Sequence, residues 1–124
     1  MSWRLRYFEF YEQIPKRARI AIQKRLGIRD GYMRSLAEFT NARCVVAFRK
    51  GRPIAWCALI PKRGGAPWMQ VFVLRRWRRR GLGRRMVIRM CARAKLWGKP
   101  CRHSSYSKAL NRFFDASGFH MEQK

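Results

Sequence analysis

A basic, glycine-containing turn at residues 78–83, with the sequence RRRGLG, carries the clearest chemical signal in the chain. Where such a turn opens a helix, the free backbone N–H groups of the first helical turn and the positive end of the helix dipole attract anions. Gly81 and Gly83 have no Cβ atom, so a phosphate can approach the backbone closely. Two glycines at this spacing also fit a plain tight turn, and on spacing alone both interpretations stay open.

The turn joins a predicted strand to a predicted helix. Residues 70–74, QVFVL, are β-branched and aromatic, which favours a buried strand. From Leu82 onward, apolar side chains recur with the period of an amphipathic helix. These side chains are Met86, Val87, Met90, Cys91 and Ala94. The basic side chains that fall largely on the other side are Arg84, Arg85, Arg89, Arg93 and Lys95.

Together the strand, turn and helix resemble the acetyl-CoA-binding motif of the GNAT acyltransferase family, (Gln/Arg)-x-x-Gly-x-(Gly/Ala), with Arg78, Gly81 and Gly83 at the motif positions. The resemblance is strong over residues 68–97 and looser over 42–120. It implies that acetyl-CoA is the cofactor, that the turn amides hold its pyrophosphate and that the strand hydrogen-bonds the pantetheine arm. The cofactor-binding residues implied are Phe72, Val73, Arg78, Arg79, Arg80, Gly81, Leu82, Gly83 and Arg84.

The rest of the chain predicts one α/β domain over residues 1–124, a GNAT-like mixed sheet with helices on both faces. Residues 3–8 alternate as a first strand. Pro15 and Gly27 are the residues expected at the start and just past the end of a helix. Residues 42–60 read as a hairpin, and both of its faces are apolar, so each must be covered.

The hairpin sequence also predicts a strand register. Taking Lys50-Gly51 as the two-residue loop makes Arg49 oppose Arg52. The same register then places Cys44 opposite Cys57, and a slip of one residue would put the two thiols on opposite faces.

The second half of the fold is predicted in less detail. We expect a short helix near residues 31–39, a short strand at 101–105 and a last helix from Ser107 to about residue 116. Residues 119–124 leave room for one short strand, whereas members of the family usually continue through a final hairpin. The chain is therefore expected to be shortened at the C-terminus, with a partner or a second copy in a homodimer completing that edge.

The charge of the chain predicts a polyanionic partner. The chain contains 30 Lys and Arg but only six Asp and Glu, which gives a net charge of +24. A bound CoA cannot balance this charge. DNA, RNA, a ribonucleoprotein or a strongly acidic protein would suit this charge, and a solvated basic surface is the alternative. The residues expected to contact nucleic acid are Arg17, Arg19, Lys24, Arg75 and Arg76.

The cysteines and the apolar segments narrow the class of protein. No pair of the four cysteines has the C-x-x-C spacing of a zinc site, so we expect buried reduced thiols and no metal. No apolar run approaches the ~18 residues of a membrane span. The N-terminal residues lack the apolar region of a signal peptide. The sequence predicts a cytoplasmic protein that does not associate with membranes.

The general acid is the weakest part of the resemblance. Many members of the family use a tyrosine in a pattern like Asn-x-x-Ala-x-x-x-Tyr-x-x-x-Gly-Phe. Aligning residues 118–119 with the Gly-Phe at the end of this pattern places Phe114 at the position of the tyrosine. Phe114 has no proton to give. The residues predicted to take over the catalytic role are Tyr106, His103 and Ser105. Gln70 stands where some relatives carry a carboxylate base, so a water-mediated base is the alternative.

Three functions remain in competition. The first is an acetyl-CoA-dependent N-acyltransferase whose amine acceptor lies on or near nucleic acid, such as a basic protein, a ribosomal protein, a tRNA or a partner enzyme. The second is a non-catalytic nucleic-acid or ribonucleoprotein-binding module on a degenerate GNAT scaffold. The third is a DNA-base-modifying enzyme like the Mom proteins of phages, where small, very basic members of the family occur.

Overall fold

The computed structural model describes residues 3–25, 42–61, 64–95, 100–103, 112 and 120–123. The strands are β1 (Arg4–Phe8), β2 (Arg43–Arg49), β3 (Arg52–Ile60), β4 (Trp68–Val73), β5 (Pro100–His103) and β6 (His120–Gln123). The helices are α1 (Lys16–Arg25) and α2 (Leu82–Ala94), with short 3₁₀ turns at Tyr11–Gln13 and Arg75–Trp77.

The six strands form one mixed sheet in chain order, from β1 to β6. The first four strands are antiparallel neighbours, while β5 pairs in parallel with β4 and β6 pairs in parallel with β5. The predicted α/β fold is thus confirmed. The helices predicted near residues 31–39 and 107–116 lie outside the described residues.

A helix covers each face of the sheet and creates a separate core. On one face, Met86, Val87 and Met90 of α2 are fully buried against strand residues. On the other face, Ala18 and Ile22 of α1 pack against the opposite side of the same strands. This two-sided burial explains why both faces of the β2–β3 hairpin are apolar.

The predicted register of the hairpin is wrong by one residue beyond Phe48. The Lys50-Gly51 loop has φ of 51° and 78°, as a two-residue type I′ turn requires, and Arg49 does oppose Arg52. Phe48 then pairs with Pro53 but Ala47 pairs with Ala55, so one residue of β3 is extra and forms a bulge.

Pro53 accounts for this bulge, because proline cannot donate a ladder hydrogen bond and is tolerated inside a sheet chiefly at bulges. Past the bulge, Cys57 pairs with Val45 and Cys44 pairs with Ala58. Cys44 therefore belongs to the core under α1, and Cys57 belongs to the core under α2. The two thiols lie on opposite faces of the sheet.

Candidate cofactor-binding site

The start of α2 presents backbone amides that the helix itself does not use. The first intrahelical bond runs from Arg85 N to Gly81 O at 3.0 Å. The N–H groups of Leu82 and Gly83 precede it and have no partner four residues back within the helix. No side chain caps this end, and the first turn contains no acidic residue. The 13-residue helix therefore offers donors and the positive end of its dipole at the turn.

The backbone of the turn adopts left-handed conformations that aim these donors together. Gly81 has φ of 75° and ψ of 11°, a conformation that glycine adopts without strain. Arg79 has φ of 62°, which is uncommon for a residue with a side chain. A left-handed residue followed by a helical one turns successive N–H groups toward one side, which forms a concave anion site.

Gly83 has a different role from the one its position in the motif suggests. A Cβ atom built there would lie 3.4 Å from Val71 Cγ1 and 3.7 Å from Val73 Cγ2. The side of Gly83 that would carry a side chain thus faces β4, and a methyl group there would make ordinary van der Waals contact with that strand. Leu82 is 1% exposed as a whole residue and belongs to the core under α2, so the accessible part of the turn is formed by its neighbours Gly81, Gly83 and Arg84.

Arg78 fastens the turn to the end of the central strand. Its Nε donates a 2.9 Å hydrogen bond to the carbonyl oxygen of Val73. Its guanidinium carbon lies 5.8 Å from the centre of the Phe72 ring. Arg78 is exposed, and its terminal nitrogens remain at the surface of the site. The first residue of the motif therefore positions the loop as well as adding positive charge.

The buried ring of Trp77 contacts the turn, a role that the sequence analysis did not predict. Its ring is 8% exposed, and the guanidinium carbons of Arg49 and Arg80 lie 4.7 Å and 5.1 Å from its centre. The ring thereby holds Arg80 at the turn by cation–π attraction. A single tryptophan inside the run RRWRRR was the available signal, because an isolated large apolar residue in a charged segment must be buried somewhere.

The sheet opens beside the turn. Within the described residues, β5 pairs only with Trp68 and Met69 of β4, although β4 continues to Val73. The backbone of residues 70–73 on that side meets no described strand. This edge runs directly into the turn, so an extended ligand lying along it would reach the amides at the start of α2.

Gln70 lies on β4 at this opening, on the face of the sheet that α1 covers. The side chain is 6% exposed, and its Oε1 has no hydrogen-bond partner among the described residues. A buried amide oxygen is costly when it lacks a donor, and such groups call for an explanation.

The three catalytic residues predicted from the sequence are only partly placed. His103 is the last residue of β5, and its backbone pairs with Met69 at the start of the opening. Ser105 and Tyr106 lie outside the described residues, as does Phe114. The cofactor residues, in contrast, are all placed around the end of β4 and the start of α2.

The arginines and lysine predicted to contact nucleic acid occupy two regions. Arg17 and Lys24 are exposed on α1, and Arg19 is partly buried there. Arg75 and Arg76 are exposed in the 3₁₀ turn that leads from β4 to the basic turn. These residues thus belong to two separate elements, α1 and the 3₁₀ turn that follows β4.

All four cysteines are free and buried. Burial raises the pKa of Cys44, Cys91 and Cys101 to about 12, and raises that of Cys57 well above its ordinary value. These thiols stay protonated at neutral pH and are poor nucleophiles.

Among the described residues, no group of three His, Cys, Asp or Glu side chains is arranged to hold a metal ion. No helix in the described part of the chain has the length and apolarity to cross a membrane.

Comparison with known proteins identifies the family. The family model described as an acetyltransferase (GNAT) domain matches residues 40–121, which is most of the chain and includes the whole site. The chain belongs to the GNAT acetyltransferase family. GNAT acetyltransferases transfer an acyl group from acyl-CoA, and the matched residues include the end of β4, the basic turn and α2.

Solved structures agree with this fold. An acyl-CoA N-acyltransferase from Pseudomonas aeruginosa superposes with a TM-score of 0.70 at 15% identity, covering 90% of this chain and 87% of that one. An aminoglycoside N-acetyltransferase in complex with CoA gives 0.56 at 16% identity, covering 95% and 88%. A ribosomal-protein-alanine N-acetyltransferase from Brucella melitensis gives 0.54 at 12%, covering 93% and 90%. No curated protein sequence matches the chain significantly.

Proposed function

We propose that this GNAT acyltransferase uses acetyl-CoA and transfers the acetyl group to an amine on or near nucleic acid. The observation that carries the cofactor assignment is the start of α2, where uncapped amides and a left-handed Gly81 meet a ring of exposed arginines. The pyrophosphate would bind accessible backbone amides at the start of α2, beside the exposed Gly81. The pantetheine arm would lie along residues 70–73, where β4 has no described neighbour on one side.

The basic turn adds electrostatic attraction to these directed hydrogen bonds. Arg79 and Arg84 are exposed beside the amides, and Arg78 and Arg80 are held there by Val73 and Trp77. Hydrogen bonds from guanidinium groups to phosphate are about twice as strong as those between neutral groups. Holding the arginines in place reduces the entropy lost when the phosphates bind.

Gln70 is the residue that we assign to the acceptor amine. Its buried Oε1 would accept a hydrogen bond from the amine N–H and hold the nitrogen at the opening beside β4. Gln70 cannot take the proton, so water carries it away, and much of the rate comes from positioning a reactive thioester. His103, Ser105 and Tyr106 remain the proposed sources of the proton for the leaving thiolate.

Two features support an acceptor on or near nucleic acid. The net charge of +24 exceeds what one CoA can neutralise, so a second polyanion is expected close by. One structural relative, from Brucella melitensis, is a ribosomal-protein-alanine N-acetyltransferase. A ribosomal or other basic protein, a tRNA or a partner enzyme would each present an amine in such surroundings.

Thermal unfolding with ligands tests the cofactor assignment. Acetyl-CoA and CoA should raise Tm, because a ligand that binds only the folded state at 100 times its Kd adds about 2.7 kcal/mol. Pantetheine, which lacks the pyrophosphate, should raise Tm far less. If millimolar acetyl-CoA leaves Tm unchanged, the cofactor assignment fails and a non-catalytic binding module becomes the better description.

Transfer of labelled acetyl groups tests the acceptor. Purified protein and labelled acetyl-CoA are incubated with ribosomal proteins, tRNA, duplex DNA and free polyamines in parallel. Label on protein or tRNA fits the proposal, label on DNA bases would favour a Mom-like enzyme, and label on free polyamines alone would contradict an acceptor bound to a polyanion.

A further inference from the structure

A row of arginines on the outer side of α2 lies beside a row of apolar side chains on β1 and on the residue that precedes it. We name this surface the α2–β1 groove and define it by Trp3, Leu5, Tyr7, Arg85, Ile88, Arg89 and Arg93. Arg85, Arg89 and Arg93 are all exposed, and none belongs to the proposed cofactor site. Ile88 is 41% exposed between them, an unusual position for a large apolar side chain on a very basic surface.

The two rows run side by side and are joined by contacts. The guanidinium carbon of Arg85 lies 6.0 Å from the centre of the Trp3 ring, and that of Arg93 lies 4.6 Å from the centre of the Tyr7 ring. Between these two pairs, Leu5 and Arg89 line an open groove of about 270 Å³ together with Arg85, Ile88 and Ala92. Its small, open form suits a chain lying along the surface better than an enclosed small molecule.

The repeat distance of both rows is similar. Arg85, Arg89 and Arg93 recur every four helical residues, about 6 Å along the axis. Trp3, Leu5 and Tyr7 recur every second residue of an extended strand, about 6.6 Å apart. Both intervals are longer than the roughly 3.4 Å between charges along one strand of a duplex, so they suit an extended single strand better than a duplex.

We propose that the α2–β1 groove binds a single-stranded nucleic acid. Single-strand sites combine a positively charged track for the phosphates with flat groups on which bases stack. A guanidinium that stacks on an aromatic ring keeps its N–H donors at its edge for phosphate and offers its free face to a base. The contact at 4.6 Å keeps Arg93 beside the Tyr7 ring before any ligand arrives, whereas Arg85, at 6.0 Å from the Trp3 ring, lies at the outer limit of such a contact.

Acidic residues do not compete for these arginines in the described part of the groove. Glu9 contacts the groove residue Tyr7, whose hydroxyl donates a 3.0 Å hydrogen bond to it, and Glu9 forms an ion pair with Arg43 at 3.3 Å. Its charge is therefore directed to Arg43. This surface differs from both regions predicted from the sequence. No described contact places an arginine of α1 on an aromatic ring, and beside Arg75–Arg76 the ring that two arginines contact, that of Trp77, is buried.

The test compares two variants that each lose three exposed positive charges. One is R85Q/R89Q/R93Q on α2, and its matched control is K16Q/R17Q/K24Q on α1, on the opposite face of the sheet. Binding of fluorescein-labelled 12-mers, oligo(dT) and oligo(rU), is measured by anisotropy from 50 to 250 mM salt, with a 12-base-pair duplex as competitor. Comparing oligo(dT) with oligo(rU) shows whether the groove prefers DNA or RNA.

We expect the α2 variant to bind at least tenfold more weakly at 100 mM salt, and the α1 control to change less than threefold. Loss of three phosphate contacts should also reduce the slope of log K against log salt by about 2 for a single strand. The variant R89Q/R93Q, which is farther from the basic turn, should give an intermediate loss. Replacing all three arginines by lysine should weaken binding despite the unchanged charge, because lysine does not stack as a planar group.

Several results would overturn the proposal. These are equal losses in the two triple variants, a larger loss in the α1 control, tighter binding of the duplex, or no binding by the wild type at 50 mM salt. The inference is independent of the proposed cofactor. Stabilisation by acetyl-CoA, measured on the same variants, separates failure of the groove from failure of the cofactor site.

Discussion

At the scale of single residues, the two glycines of the turn do different work. Gly81 needs its left-handed φ of 75°, whereas Gly83 has room for a methyl group at ordinary contact distance from β4. We expect Gly81→Ala to cost about 1 kcal/mol through backbone strain and to weaken acetyl-CoA binding. Gly83→Ala should keep stability within about 0.5 kcal/mol.

Chemical denaturation and thermal shift with acetyl-CoA check this pair. Each variant serves as the control for the other, since both add one methyl group to the same turn. Equal behaviour of the two would mean that conformation does not distinguish these positions. If Gly83→Ala alone lost acetyl-CoA binding, we would conclude that Gly83 contacts the phosphate directly.

Substitution of Gln70 should lower activity without lowering stability. Because its buried Oε1 lacks a described donor, Gln70→Met removes an unsatisfied group while keeping a similar volume. We expect the free energy of unfolding to stay constant or rise by about 1 kcal/mol. We expect acetyl transfer to fall at least tenfold, mainly through a higher KM for the acceptor. A clearly destabilised variant would show instead that the amide is bonded within the protein.

At the scale of elements, Trp77 connects the hairpin to the basic turn through Arg49 and Arg80. Trp77→Leu retains an apolar side chain but removes both cation–π contacts, so we expect a loss of about 2 kcal/mol in stability. Stabilisation by acetyl-CoA should fall as well. The control Arg49→Leu removes the contact remote from the turn and should reduce stability while leaving the acetyl-CoA shift nearly unchanged.

The elements also show how far sequence reasoning reaches. Period and β-branched content predicted α2 and β4, and Lys50-Gly51 predicted a two-residue hairpin loop, because these depend on neighbouring residues. The bulge beside Pro53 was missed, because it depends on how a proline inside a central strand is accommodated by both neighbours. The opening beyond Met69 and the sandwich of Trp77 depend on contacts between distant segments, which no local pattern encodes.

At the scale of the whole molecule, buried thiols set the response to alkaline pH. Folding raises the pKa of Cys44, Cys91 and Cys101 from 9.0 to about 12, and burial also raises the pKa of Tyr7 and Tyr11 above 10.0. Above pH 9 the unfolded chain releases protons that the folded protein retains. Stability is therefore complete below pH 9 and declines between pH 9 and 12.

Each such thiol should contribute a slope of about 1.4 kcal/mol per pH unit in that window. Denaturation between pH 8 and 11 measures the slope of the free energy of unfolding against pH. Cys44→Ala should reduce this slope by the contribution of one thiol, whatever its effect on absolute stability. At pH 8 a thiol-reactive disulfide reagent should leave the native protein unmodified and titrate four thiols after unfolding. Rapid reaction of the native protein would contradict the buried, protonated state.

The order of the strands has a consequence for how the chain folds. Every strand pairs with its neighbour in sequence, and the β2–β3 hairpin closes over only two residues. Loop closure costs least for such short connections, so this hairpin can form before the longer-range pairing of β1 with β2. We expect mutations in the hairpin to slow folding and mutations in β1 mainly to speed unfolding, as measured by stopped-flow kinetics. On this basis the outer wall of the α2–β1 groove is assembled late, on a sheet whose centre already exists.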